Sequence, residues 1–498
     1  MQENITSKSA IELRESFIKG KLSAEEITKA FLERASRLNS ELNAFISLCP
    51  DLAIQKAKIL DQRFARGEDP QSLGKLAAVP IGVKDLINMI GTETTAASNM
   101  LRGHKSVYNA TIVNRVIAAG AIPLGKLNLD EFAMGSSNET SAFGVCKNPW
   151  DLSRVPGGSS GGSSAAVAAE LVPIAFGTDT GGSIRQPAAY CGITGMKPTY
   201  GKVSRYGIIA FASSLDQAGP MTKTVKDNAL LLEVMSGYDS KDSTSINLPN
   251  EDYLAYIKEN FEKTNSLKGL KIGISDDLSA DNIDHEMRLA LDKTIKTYTD
   301  LGAEIVTVKL PHIKASLACY YIIAPAETSS NLSRYDGVRF GHREASPDLE
   351  SLYKNSRAKF GKEVQRRIML GTYALSSGYY DAYYKKAQEL RRLIANDFDA
   401  AFEKCDLILS LTTPSTAFKF GSKSDPLEMY LSDVLTVPVN LAGLPSMSLN
   451  AAYDKDGMPI GVQMIGRALE EKVLYNAAYA LEESLVKEQR KPNLAALV

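Results

Sequence analysis

A chain of 498 residues is long enough to bury a large core, and its 57 basic and 58 acidic side chains nearly cancel to a net charge of -1. That balance argues against a protein that grips nucleic acid through a wide basic surface of its own. Five scattered cysteines (Cys49, Cys146, Cys191, Cys319, Cys405), no signal-peptide pattern and no run approaching roughly 18 apolar residues point away from a disulfide framework, a zinc site or a membrane span and toward a cytoplasmic protein.

Ser23 followed by Glu26 is a capping-box pattern, and Ile27, Phe31 and Leu38 continue at helical spacing through about residue 38. Val79–Val83, interrupted by Pro80 and Gly82, reads as the end of a strand. Asn109 is placed to cap a helix carrying Ile112, Val113, Val116 and Ile117; Gly120 ends it, and 121–124 reads as the next strand. The same helix–strand alternation recurs at 159–177 and 289–308, which predicts an α/β fold around a largely buried sheet. Residues 238–268 read as a polar excursion. Residues 362–403 read as helical, with Tyr379, Tyr380, Tyr383 and Tyr384 as packing residues. With no repeat, long linker or low-complexity tract, residues 1–498 are expected to form one domain.

The unusual chemistry lies in 156–187, where two glycine–serine clusters bracket an alanine-rich run. Glycines let the backbone approach a ligand closely, and consecutive amides in such turns can point one way and hold an anion. Three chemistries compete for that geometry. Gly120–Lys126 spells the phosphate-loop pattern G-x-x-x-x-G-K, but Leu127 stands where Ser or Thr should hold magnesium. Gly158–Gly162 satisfies G-x-S-x-G, yet that mechanism needs a histidine base, and none of His104, His285, His312 and His342 has a setting suggesting one. The third uses a lysine base. It must be neutral to accept a proton, so its pKa must fall by about 2 to 3 units, which burial achieves. Lys84, directly after the apolar Val79–Val83, is placed for this.

GGSSGGSSAAVAA (157–169) followed by GTDTGGSIRQPAA (177–189) closely resembles the signature of the amidase signature family, and the likeness extends from about Val79 to Gly466. The resemblance implies a central mixed β-sheet covered by helices on both faces, with a signature core at about 79–220. It implies a catalytic triad of Lys84, Ser159 and Ser183: Ser183 the nucleophile, Lys84 the ultimate base, and Ser159, after a cis peptide, the proton relay. Amides of Thr180, Gly181, Gly182 and Ser183 are the candidates for the oxyanion hole. No metal or organic cofactor is expected in this chain.

Within that family, 130–137, 366–372, 376–384 and 433–443 look like the glutamine-hydrolysing subunits of tRNA-dependent amidotransferases. These pass ammonia to a B subunit that uses ATP and Mg, while a C subunit helps the complex assemble and tRNA is held through the partner. Free glutamine needs a cation for its carboxylate and an anion for its amine. By resemblance these are Arg366, with Arg367 adjoining it, and Asp433; Met134, Ser136 and Tyr320 or Tyr321 would line the pocket. The alternatives are a stand-alone amidase for small aliphatic or aromatic amides, which would share the triad and differ in the pocket, and a catalytically silent scaffold.

Overall fold

The computed structural model describes residues 5–278 and 283–494. Local chemistry sets the helix starts. Ser23 caps the helix Ala24–Leu42 with a reciprocal capping box to Glu26, and Ile27, Phe31 and Leu38 are buried on its inner face. The helix runs past residue 38 and stops at Asn43, which adopts the left-handed conformation. The cap expected from Asn109 is not made: the helix Thr111–Ala118 starts after Ala110. The Asn109 carboxamide instead accepts from the Ile90 amide (2.7 Å) and donates to Asn114 (2.9 Å), tying two loops together.

Eleven strands form one sheet: β1 (Phe45–Leu48), β2 (Pro80–Lys84), β3 (Ile122–Leu127), β4 (Ile174–Asp179), β5 (Thr194–Lys197), β6 (Gln217–Thr222), β7 (Lys271–Ile274), β8 (Glu304–Thr307), β9 (Leu407–Leu411), β10 (Ser446–Tyr453) and β11 (Pro459–Gly466). Their order is β1-β3-β2-β4-β6-β5-β10-β11-β9-β7-β8. The sheet is mixed: β2 runs parallel to β3 and β4, and β7 parallel to β8 and β9, while the remaining pairs are antiparallel. Every residue of β2 to β6 is buried, as expected of strands covered on both faces. Along β4, Ile174 and Phe176 join one apolar cluster and Ala175 the other, so the pleat feeds two cores, one on each side.

Because β3, β2 and β4 are parallel neighbours, their carboxyl ends emerge on one rim. That rim receives Lys84, the loop after Leu127 and the turn after Asp179. Open α/β sheets place ligand sites at such ends.

The 362–403 stretch is helical, as the helices Lys362–Leu375 and Lys386–Phe402 around a π-helical turn at Tyr380–Lys385. The tyrosines correct their expected packing role. Tyr379, Tyr380 and Tyr383 are 40%, 46% and 42% exposed and join Met369, Leu370 and Tyr373 in an outward aromatic face. The π-turn shifts the helical register, so these rings stack on one another rather than on the core.

Close packing explains one glycine. A Cβ on Gly162 would lie 2.4 Å from the Asn128 carbonyl oxygen and 2.5 Å from that of Ala44, both main-chain atoms that cannot swing away. Gly162→Ala is therefore expected to cost about 3 kcal/mol in equilibrium denaturant unfolding. An unchanged midpoint would mean that this helix has slack against β3.

Candidate active site

Lys84 ends β2 fully buried, and its Nζ lies 2.9 Å from Ser159 Oγ, 2.8 Å from Ser160 Oγ and 2.9 Å from Thr178 Oγ1. No carboxylate lies within ion-pair distance of it among the described residues. Burial drives its pKa down to about 7, against the more distant charges of Asp130, Asp179 and Asp216, which pull it up. Ser159 follows a cis peptide from Gly158, just ahead of the helix Gly161–Ala168, and its carbonyl accepts the Asp130 amide (3.2 Å). The two glycine–serine clusters meet where the Ser160 amide donates to the Ser183 carbonyl (3.2 Å).

The turn carrying Ser183 is built on Asp179. Its carboxylate accepts from the amides of Gly182 (2.8 Å) and Ile184 (3.2 Å) and from the Arg185 guanidinium (3.0 and 3.1 Å). Burial alone would raise this carboxyl, but Arg185 outweighs it and holds the pKa down to about 2. Arg185 also donates to Thr436 O, Asn440 Oδ1 and Gln463 Oε1 (3.1, 2.6 and 3.1 Å). One of the four expected oxyanion donors is thereby corrected: the Gly182 amide is committed to Asp179. The amides of Gly181 and Ser183 donate to no acceptor among the described residues. Thr180 sends its hydroxyl to Asp216 (2.7 Å).

The residues expected at the substrate end converge from distant segments. Ser136 Oγ hydrogen-bonds Asp433 Oδ2, and the Ser136 carbonyl accepts from Gln186 Nε2 (2.7 Å), three residues beyond Ser183. Asp433 Oδ1 is buried without a partner. Burial pushes the Asp433 carboxyl up to about 7, while the Ser136 hydrogen bond and the charges of Arg367 and Lys423 draw it down. Tyr320 packs on Gly181, where a Cβ would meet its ring at 2.7 Å. Tyr321 stacks on Tyr430 (3.9 Å between ring centroids), and Met134 is buried in the apolar core.

Arg366 does not join this group. Its side chain is 44% exposed and pairs with Glu363 on the outside of its helix. Arg367 is 3% exposed, donates to Glu363 Oε1 (2.8 Å), and lies over the rings of Tyr321 (5.3 Å) and Tyr430 (5.5 Å). One helical residue is a rotation of about 100°, so only one of two adjacent arginines can face inward. Sequence reasoning also missed Ser160, Thr178 and the Asp179–Arg185 pair. The acid inside GTDTGG and the arginine six residues on were the available signal.

The competing motifs have other roles. Lys126 of the phosphate-loop pattern is fully buried, 3.0 Å from Asp85. His312 and His342 bond Asp397 (2.9 Å) and Glu344 (2.8 Å) away from this cluster.

The arrangement is that of known amide hydrolases. The profile of the amidase family matches residues 26–475. The A subunit of glutamyl-tRNA(Gln) amidotransferase from Thermoanaerobacter pseudethanolicus is 52% identical over 476 residues, 95% of each chain. The crystal structure of the same enzyme's A subunit from Thermotoga maritima aligns with a TM-score of 0.79 at 41% identity, over 97% of this chain and 96% of that one. Native peptide amidase from Stenotrophomonas maltophilia aligns at 0.82 and 31% identity, over 98% of each chain. The chain belongs to the amidase family.

Removing Asp179 would strand the Arg185 guanidinium, which is fully buried. Asp179→Ala is expected to cost about 3–5 kcal/mol in denaturant unfolding. A loss below about 1 kcal/mol would show that Thr436, Asn440 and Gln463 hold the guanidinium without it.

Proposed function

We propose that this chain is the glutamine-hydrolysing subunit of a tRNA-dependent amidotransferase, supplying ammonia to convert Glu-tRNA(Gln) to Gln-tRNA(Gln). The observation that carries the reading is a carboxylate and a guanidinium, Asp433 and Arg367, gathered beside the Ser183 turn in a chain 52% identical to a protein of that name. Partner subunits B and C would bind ATP and Mg and hold the tRNA. Residues 1–498 would form a single unit around the one eleven-stranded sheet.

In this reading Ser183 is the nucleophile. A neutral amine has two N–H donors and one lone pair. Lys84 can therefore donate to Ser160 and Thr178 while accepting the Ser159 proton, as Ser159 takes the proton of Ser183. Ser183 Oγ attacks the carboxamide carbon, and the carbonyl oxygen gains charge against the amides of Gly181 and Ser183. Collapse breaks the C–N bond, and the relayed proton leaves with ammonia. Water then adds to the acyl-enzyme by the same route and releases glutamate. Arg367 takes the substrate α-carboxylate in place of Arg366, and Asp433 with Ser136 takes the α-ammonium. Tyr320 and Tyr321 line the space between turn and arginine.

Ammonia release from glutamine tests this directly, measured for the chain alone and with the partner subunits, beside a Ser183→Ala control. Release that partners stimulate and Ser183→Ala abolishes is the expected result. Hydrolysis of simple amides with glutamine ignored would make the chain a stand-alone amidase. Arg367→Lys should raise the glutamine KM about 100-fold, the cost of leaving a charge partner unpaired, while Arg366→Lys stays within about twofold.

The pH dependence has a definite sign. Lys84, with its pKa near 7, is protonated below that value and cannot accept a proton. The kcat for glutamine should therefore fall about tenfold per pH unit on the acid side. Asp433, also near 7, must be ionised to hold an ammonium, so KM should rise over the same range. A kcat that stays flat down to pH about 5 would remove Lys84 as the base.

A further inference from the structure

One buried acid has no part in the mechanism above. Glu131 is 2% exposed and faces no cation within ion-pair distance among the described residues. Its Oε1 accepts from Ser98 Oγ, and its Oε2 accepts the Gly361 amide at 2.8 Å. Burial pushes its carboxyl up to about 7 against those two hydrogen bonds. Leaving such a group uncompensated is costly, so its place in the fold needs a reason.

The two segments it joins supply one. Glu131 sits in the loop after β3 that serves both ends of the site: the Asp130 amide bonds the Ser159 carbonyl (3.2 Å), and Ser136 bonds Asp433. Gly361 is the N-cap of the helix Lys362–Leu375, which carries Arg367 on its inner face. Phe132 and Phe360, the neighbours of the bonded pair, meet edge to face at 5.5 Å between centroids. The fit leaves no slack, since a Cβ on Gly361 would lie 2.2 Å from Glu131 Oε2. A carboxylate at a helix N-cap also interacts favourably with the helix dipole.

We propose that Glu131 is a positioning residue for substrate recognition: its carboxylate pins the first turn of the Arg367 helix to the loop that carries the triad and Asp433 contacts. The distance from Arg367 to the Ser183 turn is thereby fixed by a bond that touches neither substrate nor nucleophile. This rests on the reading that Arg367 holds the glutamine carboxylate. Misplacement of a binding group by about 1 Å can cost 10²-fold, so the effect belongs in KM.

The test uses the full chain in the complex it is isolated with and reads two quantities, glutamine KM and the rate at which an active-site serine probe such as a sulfonyl fluoride labels Ser183. Glu131→Ala should raise KM at least about tenfold while labelling stays within about twofold, because the nucleophile is untouched. Glu131→Gln keeps an acceptor for Gly361 and a donor toward Ser98, and should restore KM to within about threefold of wild type. Gly361→Ala, which displaces the carboxylate without altering it, should behave like Glu131→Ala and carries the test if the latter does not fold. An unchanged KM in Glu131→Ala or Gly361→Ala would overturn the proposal, as would equal losses of KM and labelling. Arg367→Lys separates the two readings. If it leaves KM unchanged, the assignment of Arg367 has failed. If it raises KM and the Glu131 and Gly361 variants do not, only the positioning role has failed.

Discussion

The site hangs on one buried ion pair. Asp179 ends β4 and Arg185 opens the helix after the Ser183 turn, so their contact closes that turn on itself. The same guanidinium reaches Thr436, Asn440 and Gln463, joining the signature region to the last third of the chain. Buried pairs are weak contributors to net stability, because desolvation offsets much of the attraction. What this pair does contribute is direction. It draws the Gly182 amide inward and leaves those of Gly181 and Ser183 uncommitted. A turn of small residues has no side-chain packing of its own to fix its amides, so a buried charge does it.

Lys84 and Lys126 show how a base is made by withholding a partner. Both are fully buried, on the neighbouring parallel strands β2 and β3. Lys126 has Asp85 at 3.0 Å and two carbonyls, and is a structural cation. Lys84 has three hydroxyls and only remote carboxylates. Hydroxyls can donate as well as accept, so they tolerate either protonation state; a carboxylate would stabilise only one. The difference between the two lysines lies in the groups that face them, with burial the same.

This explains what could be read from the sequence. The α/β alternation, the buried sheet and the catalytic cluster were legible because their determinants are local: apolar runs, a capping box at Ser23, and glycine–serine strings that few other folds would need. Lys84 was legible because the apolar run before it sets its burial. The Asn109 cap failed because a neighbouring loop amide competed for the same side chain. The tyrosines after residue 378 failed because one π-turn reverses which face of a helix meets the core. Neither event leaves a mark in hydrophobic periodicity.

The substrate end was legible only in part, and the reason is geometric. Ser136, Arg367 and Asp433 come from three segments with no local pattern in common. For Arg366 and Arg367 the residue type and the helix were right, and the choice turned on rotation about the helix axis. That rotation is set at the N-cap, where Gly361 meets Glu131, more than two hundred residues away in the chain. Catalytic geometry, carried by short contiguous loops, travels with the motif. Recognition geometry depends on how distant helices seat on those loops, which is why one signature can serve amidases with different substrates.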